Sequence, residues 1–253
     1  MTIMRMGVVA LAAGLAFAAP ARAAEEVTLP HQNWSFEGPF GTYDKASAQR
    51  GFQIYKEVCS SCHSMKLAYY RNLAGIGLSA EQIKAVAASV DVPTIGDDGQ
   101  PAERPGVPSD HFKSPYPNEK AARAAQNGAL PPDQSVLIKA REGGPDYIYG
   151  LLTGYADPPP GVKMGDGMNY NKVMAGHQIA MAAPLSDGRV EYSDGTKPTL
   201  DQEARDVTTF LAYIANPEME QRKRMGVRVV LFLALMTCVT YAVKRQIWSD
   251  VKH

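Results

Sequence analysis

Two of the three cysteines in the 253 residues stand in one short run, Val58-Cys59-Ser60-Ser61-Cys62-His63-Ser64. Two thiols three apart, followed at once by an imidazole, fit four chemistries: a disulfide, half a zinc site, a redox dithiol or covalent attachment of haem. A zinc site needs a second ligand pair at similarly short spacing. The remaining cysteine, Cys238, sits in an apolar run, and His31, His111, His177 and His253 are scattered singly. A thioredoxin-type dithiol needs a βαβ context, which the pattern around the motif does not offer. A disulfide across two residues is strained. Cys-x-x-Cys-His is the attachment signature of c-type haem: Cys59 and Cys62 add across the two porphyrin vinyl groups, and His63 follows at the position that ligates the iron.

Iron in such a site takes a second axial ligand. Met65, Met164, Met168, Met174, Met181, Met219 and the single histidines are the candidates. Met65 is too near His63 to reach the opposite face, and Met219 abuts the last apolar run. Met181, in HQIAMAAPL, precedes the closing amphipathic segment by some twenty residues. The order helix, CxxCH, long excursion, methionine loop, closing helix is that of class I cytochromes c. His177 is the second candidate. A His/Met pair raises the haem potential.

The elements that must position these groups are mostly helical. Residues 40–58 contain a helix capped by Asp44, with Ala48, Gly51, Phe52, Tyr55 and Val58 on one stripe. Ser79 caps a helix over 79–90. A short helix over 119–127 ends at Gly128, and 133–141 and 146–153 read as helical on either side of Gly143-Gly144-Pro145. Thr199 caps 200–215, whose apolar stripe is Leu200, Ala204, Val207, Leu211 and Ile214; Asn216-Pro217 stops it. Residues 91–118 and 156–184 read as long loops, and the strand signal is confined to short pieces near 189–192. Loops of this length are uncommon without a reason; a large buried prosthetic group is one.

The two ends carry different signals. Residues 1–24 have Arg5, an apolar run and Ala21-Arg22-Ala23, the pattern of a cleaved export signal. Residues 225–243 form an apolar run of 19 with one charge, Arg228, flanked by Arg222-Lys223-Arg224 and Lys244-Arg245. As helix it is about 28 Å long, near the ~30 Å of a bilayer core. The expected organisation is a signal over 1–24, an exported haem domain over 25–221, a membrane helix over 222–245 and a cytoplasmic tail over 246–253. Net charge is zero, yet residues 25–221 hold 25 acidic and 17 basic side chains. An acidic body argues against nucleic acid and suits a basic protein partner.

With these residues in place, the chain resembles the cytochrome c1 family of alphaproteobacterial type, the haem subunits of the cytochrome bc1 complex. The matching segments are WSFEGPFGTYDKASAQRGFQIYKEVCSSCHSM, NGALPPDQSVLIKAREGGPDYIYGLLTGYADPP, QIAMAAPL, YSDGTKPT with DVTTFLAYIANPE, and RKRMG. The resemblance implies a mainly α, class I cytochrome c-like domain with long loops and one C-terminal transmembrane helix. It implies one covalent haem c on Cys59 and Cys62, with His63 and Met181 as axial ligands of the iron. Arg141 matches an arginine facing a haem propionate, Tyr147 a tyrosine near that edge, and Asn127, Ala129, Leu130, Pro131 and Pro132 a loop packed on the ring. Some members carry a cysteine pair before the methionine ligand; this chain has none there.

The implied function is electron transfer from the Rieske iron–sulfur protein to a basic cytochrome c, within a dimeric complex that also holds cytochrome b and oxidises quinol. Such outer-sphere transfer needs no catalytic acid, base or nucleophile. The implied location is a bacterial inner membrane, cytoplasmic or intracytoplasmic, spanned once, with the haem domain in the periplasm. A haem peroxidase would need an open axial position and would bind carbon monoxide when reduced. A redox sensor would need a signalling module, for which ten residues after 243 leave no room.

Overall fold

Asp44 starts helix α1 (Lys45–Glu57) as the sequence predicts: its carboxylate accepts the amides of Ala46 and Ser47. The computed structural model describes residues 28–251; the expected export signal lies outside them. From α1 the chain makes a 3₁₀ turn at Cys59–Ser61 and another at Tyr70–Ile76, then enters α2 (Ala80–Ala88), where Ser79 and Gln82 form a capping box. A β-hairpin follows, β1 (Asp91–Ile95) against β2 (Pro101–Pro105), then α3 (Glu119–Ala125) and α4 (Gly144–Thr153). A two-residue pairing, β3 (Asn169–Tyr170) with β4 (Gln178–Ile179), folds the next loop. Helix α5 (Leu200–Ala215) closes the body, and α6 (Met219–Ile247) leaves it.

The core is the crossing of α1 and α5. Gly51 allows it: a Cβ there would lie 2.0 Å from the Asp206 carbonyl oxygen. Phe52, Tyr55, Phe112 and Phe210 pack at ring-centroid separations of 5.6–6.2 Å beneath the end of α1. The crossing also holds a charge pair. Arg50 reaches the fully buried Asp206 through Nε (2.7 Å) and Nη2 (3.0 Å), and Ser47 and Gln202 donate to the same carboxylate. Removing one partner of such a pair costs about 3–5 kcal/mol. Glu203, one turn before Val207, is fully buried as well and accepts the Val190 amide. The α5 stripe predicted from apolar spacing is thus wider than expected, because two carboxylates find partners inside it.

Four readings from the sequence change. The loop over 91–118 contains the hairpin, and 189–192 forms no strand. Residues 133–141 form only a 3₁₀ turn, Leu137–Ala140, because Asp133–Ser135 bond across to residues 64–67 instead. The last helix is longer than the apolar run. Its first turns are tied to the body by Lys223, which donates to the carbonyls of Phe36 and Gly41, and by Glu220, which accepts the Tyr43 amide. Beyond them, α6 is long and apolar enough to cross a membrane, and its large side chains from Val227 onward are exposed.

Candidate haem-binding site

The Cys59–His63 segment is one tight turn. The Cys59 carbonyl accepts the amides of both Cys62 (3.1 Å) and His63 (2.9 Å), which brings the two thiols and the imidazole within a single helical turn. The intervening serines are more than spacers. Ser60 and Ser61 donate their hydroxyls to the carbonyls of Lys56 and Val58 and so satisfy the C-terminal end of α1. Neither thiol is in a disulfide. Burial pushes the Cys59 thiol up to about 12, with Cys62 adding to the shift and Gln134 opposing it. Among the described residues no group of three His, Cys, Asp or Glu could hold a metal ion.

His63 is 9% exposed, and its Nδ1–H donates to the Pro132 carbonyl at 2.8 Å. That bond assigns the tautomer: Nε2 carries the lone pair and is the atom left to ligate iron. Burial lowers the His63 pKa against the opposing effect of the Pro132 bond, so the ring is neutral, the form that binds metal.

The Pro132 acceptor is itself held by a clamp that motif reading missed. Asp133 accepts the Ser64 hydroxyl (2.8 Å), the Lys66 amide (2.9 Å) and the Ser135 amide (2.9 Å). The Gln134 amide donates to the Ser64 carbonyl, and Ser135 Oγ accepts the Leu67 amide. Burial works to raise the Asp133 pKa, but these hydrogen bonds outweigh it and hold the carboxyl below its ordinary value. The signal available in sequence was the Asp-x-Ser turn directly after Pro131-Pro132.

The remaining predicted residues fall in separate places. Asn127 takes a left-handed backbone (φ 49°) ahead of Gly128 (φ 87°) and turns the chain out of α3. Leu130, Pro131 and Pro132 join Cys62 on the wall of a cleft of about 550 Å³, whose other walls include Val92, Phe112, Tyr116 and Ala122. Ala129, just before them, is half-buried. His63, Arg141, Tyr147 and Met181 do not line this cleft, so it meets the site along 130–133 and at Cys62, Ser64 and Lys66. Gln126 donates to both Cys62 Sγ (3.5 Å) and Tyr116 Oη (2.8 Å), a contact sequence reading did not anticipate.

Helix α4 carries the link to the methionine loop. Tyr147 donates to Met174 Sδ at 3.6 Å, and Tyr155, just past the helix, donates to the Met181 carbonyl at 3.1 Å. Met181 is half-buried and lies two residues past the end of β4. His177 packs its ring on Tyr170 and turns Nδ1 toward the Asn171 carbonyl at 3.2 Å. Asn171, fully buried, bonds the Leu151 carbonyl and the amides of Val173 and Met174. Arg141 ends the 3₁₀ turn with an exposed side chain, its Nη1 donating to the Ala140 carbonyl. Met65 is fully buried in the core.

The donor set fits a c-type haem: two unpaired thiols, a neutral imidazole with Nε2 left over, and a thioether loop reached through α4. Comparison with known proteins points the same way. A family model described as the Cytochrome C1 family matches residues 34–251. The chain is 45% identical to cytochrome c1 of Rhodospirillum rubrum, covering 100% of this chain and 99% of that protein. It is 48% identical to the mitochondrial cytochrome c1 haem protein of Saccharomyces cerevisiae, over 88% of this chain and 73% of the relative. It is 46% identical to the mitochondrial cytochrome b-c1 complex catalytic subunit of Candida albicans, over 88% and 78%. The chain belongs to the cytochrome c1 family.

Proposed function

We propose that the chain is a membrane-anchored monohaem electron carrier of a cytochrome bc1 complex, with haem c held by Cys59 and Cys62 and ligated by His63 and Met181. The observation that carries the reading is the His63 Nδ1 bond to Pro132 inside a Cys-x-x-Cys-His turn. When bound, haem supplies one-electron redox chemistry. The chain's residues fix its ligand geometry and exclude water. Pro132 orients His63, Asp133 holds Pro132, and Leu130 and Pro131 add apolar cover; Asn127 and Ala129 belong to the same loop. Tyr155 and the β3–β4 pairing hold the Met181 loop, and Tyr147 braces it at Met174. Arg141 offers a bidentate fork to a propionate.

The donor is the Rieske iron–sulfur protein and the acceptor a basic cytochrome c, steered by the excess of acidic residues in the body. The complex includes cytochrome b and is dimeric. The haem domain, 25–221, faces the periplasm of a bacterial inner membrane after loss of residues 1–24. The segment 222–245 crosses the membrane and 246–253 remains cytoplasmic. Purification from detergent tests the reading: a cytochrome b and a Rieske protein come with the chain, and its haem resists acid–acetone extraction. A chain that purifies alone with extractable haem contradicts it.

A further inference from the structure

A second cleft, of about 560 Å³, lies where the body meets α6. Its body wall is Tyr43, Arg71, Asn72, Gly75 and Tyr213; its helix wall includes Gln221, Arg224, Met225 and Arg228. We propose that this cleft binds the phosphate of an anionic membrane-lipid headgroup. The inference rests on reading α6 as the membrane anchor.

Three guanidiniums, Arg71, Arg224 and Arg228, face two carboxylates, Glu218 and Glu220, leaving the cleft positive by one. Glu220 is already engaged by the Tyr43 amide and by Arg224 at 3.5 Å. Among the described residues neither Arg71 nor Arg228 makes an ion pair. The Arg71 guanidinium stacks on the Tyr69 ring, its Cζ 4.0 Å from the centroid, which holds the group in place and leaves its in-plane N–H groups for a ligand. Both tyrosine hydroxyls in the wall are spent on backbone carbonyls, Tyr43 on Ala212 and Tyr213 on Asn72. The charged donors left for a ligand are therefore guanidiniums, whose planar forks match phosphate oxygens, with the Asn72 and Gln221 amides beside them.

Height along α6 selects a lipid over a soluble anion. The apolar run begins at Met225, which is itself in the wall. Arg228 sits about 4.5 Å further along the axis, just under one turn into the run. A guanidinium at that depth snorkels back toward the headgroup layer, where Arg71 and Arg224 meet it. Lys223, the neighbouring cation, takes no part, since its ammonium is bound to the Phe36 and Gly41 carbonyls.

The test uses the full chain in detergent with phosphatidylglycerol or phosphatidylcholine, counting retained lipid by native mass spectrometry. Arg71→Gln/Arg228→Gln is expected to lower phosphatidylglycerol retention about tenfold or more, the scale of lost charge-assisted hydrogen bonds. Lys84→Gln, an exposed charge on α2, should leave it unchanged. Arg71→Lys/Arg228→Lys, which keeps the charge and loses the fork, should fall between. An unaltered haem spectrum certifies the fold of each variant. Equal retention in wild type and the Gln double variant overturns the proposal. So does complete displacement by inorganic phosphate, which marks a free-anion site, or cleft cross-links to another polypeptide with no lipid retained. Failure of the anchor reading looks different: the chain would stay soluble without detergent.

Discussion

The two sides of the proposed haem site are built differently. On the His63 side, four consecutive residues, Pro132 to Ser135, bond to His63, Ser64, Lys66 and Leu67, so two chain segments are stitched together at every position. On the Met181 side, residues 156–184 run through Gly161, Gly167 and Gly176, all at positive φ, with a two-residue strand pairing and a tyrosine bond to hold the ligand residue. The histidine side is a clamp and the methionine side a tethered loop. In the proposed site the rigid histidine would fix the ring, and the looser methionine would set how easily the second ligand is lost.

The comparison can be broken at several points. The largest effect is expected from Cys59→Ala/Cys62→Ala, which removes both thioethers: no haem should remain after acid–acetone extraction, measured as the pyridine haemochrome. Next is Asp133→Asn on the clamp. Losing hydrogen bonds to a charged acceptor costs about 1.5–3 kcal/mol, read as a lower unfolding midpoint, and a displaced Pro132 should shift the potential through the His63 bond. Tyr155→Phe on the tether removes one neutral hydrogen bond, about 1 kcal/mol. It should leave the global midpoint nearly unchanged while speeding ligand exchange at the methionine side, seen as faster imidazole binding. Equal effects of the last two on global stability would erase the contrast.

The smallest effect is pH-dependent and has opposite signs in two places. Asp133 is held below its ordinary value, so its contribution is present above the unfolded pKa near 4 and is lost as pH falls through the folded one. The stability gap between wild type and Asp133→Asn should therefore narrow below about pH 4. Burial raises Glu203, with the bonds from Val190 and Arg189 opposing it, so that side chain destabilises the fold increasingly as pH rises above the unfolded value. Glu203→Gln should gain on wild type as pH rises above the unfolded value near 4, levelling off once pH passes the raised folded value. A gap that moves the other way in either thermal melt contradicts the assignment.

What the sequence made legible follows from range. Asp44, Ser79 and Thr199 cap the helices expected of them because a cap is settled within three residues. The Cys59–His63 turn was legible for the same reason. The β1–β2 hairpin was not, because Pro93, Pro101 and Pro105 read as loop; a two-stranded ribbon has only edges, where proline is tolerated. The Asp133 clamp joins residues nearly seventy apart, and the Tyr155 bond to Met181 joins two loop positions with no shared period. Nor did apolar spacing reveal Asp206 and Glu203 inside α5, since only the fold supplies Arg50 and the Val190 amide. Membership of the cytochrome c1 family was readable because its motifs are contiguous blocks.

The central claim is that one haem c is ligated by His63 from the clamp and by Met181 from the tethered loop. Redox titration of Met181→Leu beside the wild type tests it most directly. Loss of the thioether should lower the midpoint potential by hundreds of millivolts, within the span of about 0.8 V that axial ligation covers. A potential unchanged by the substitution would contradict the assignment and return the second axial position to His177 or another residue.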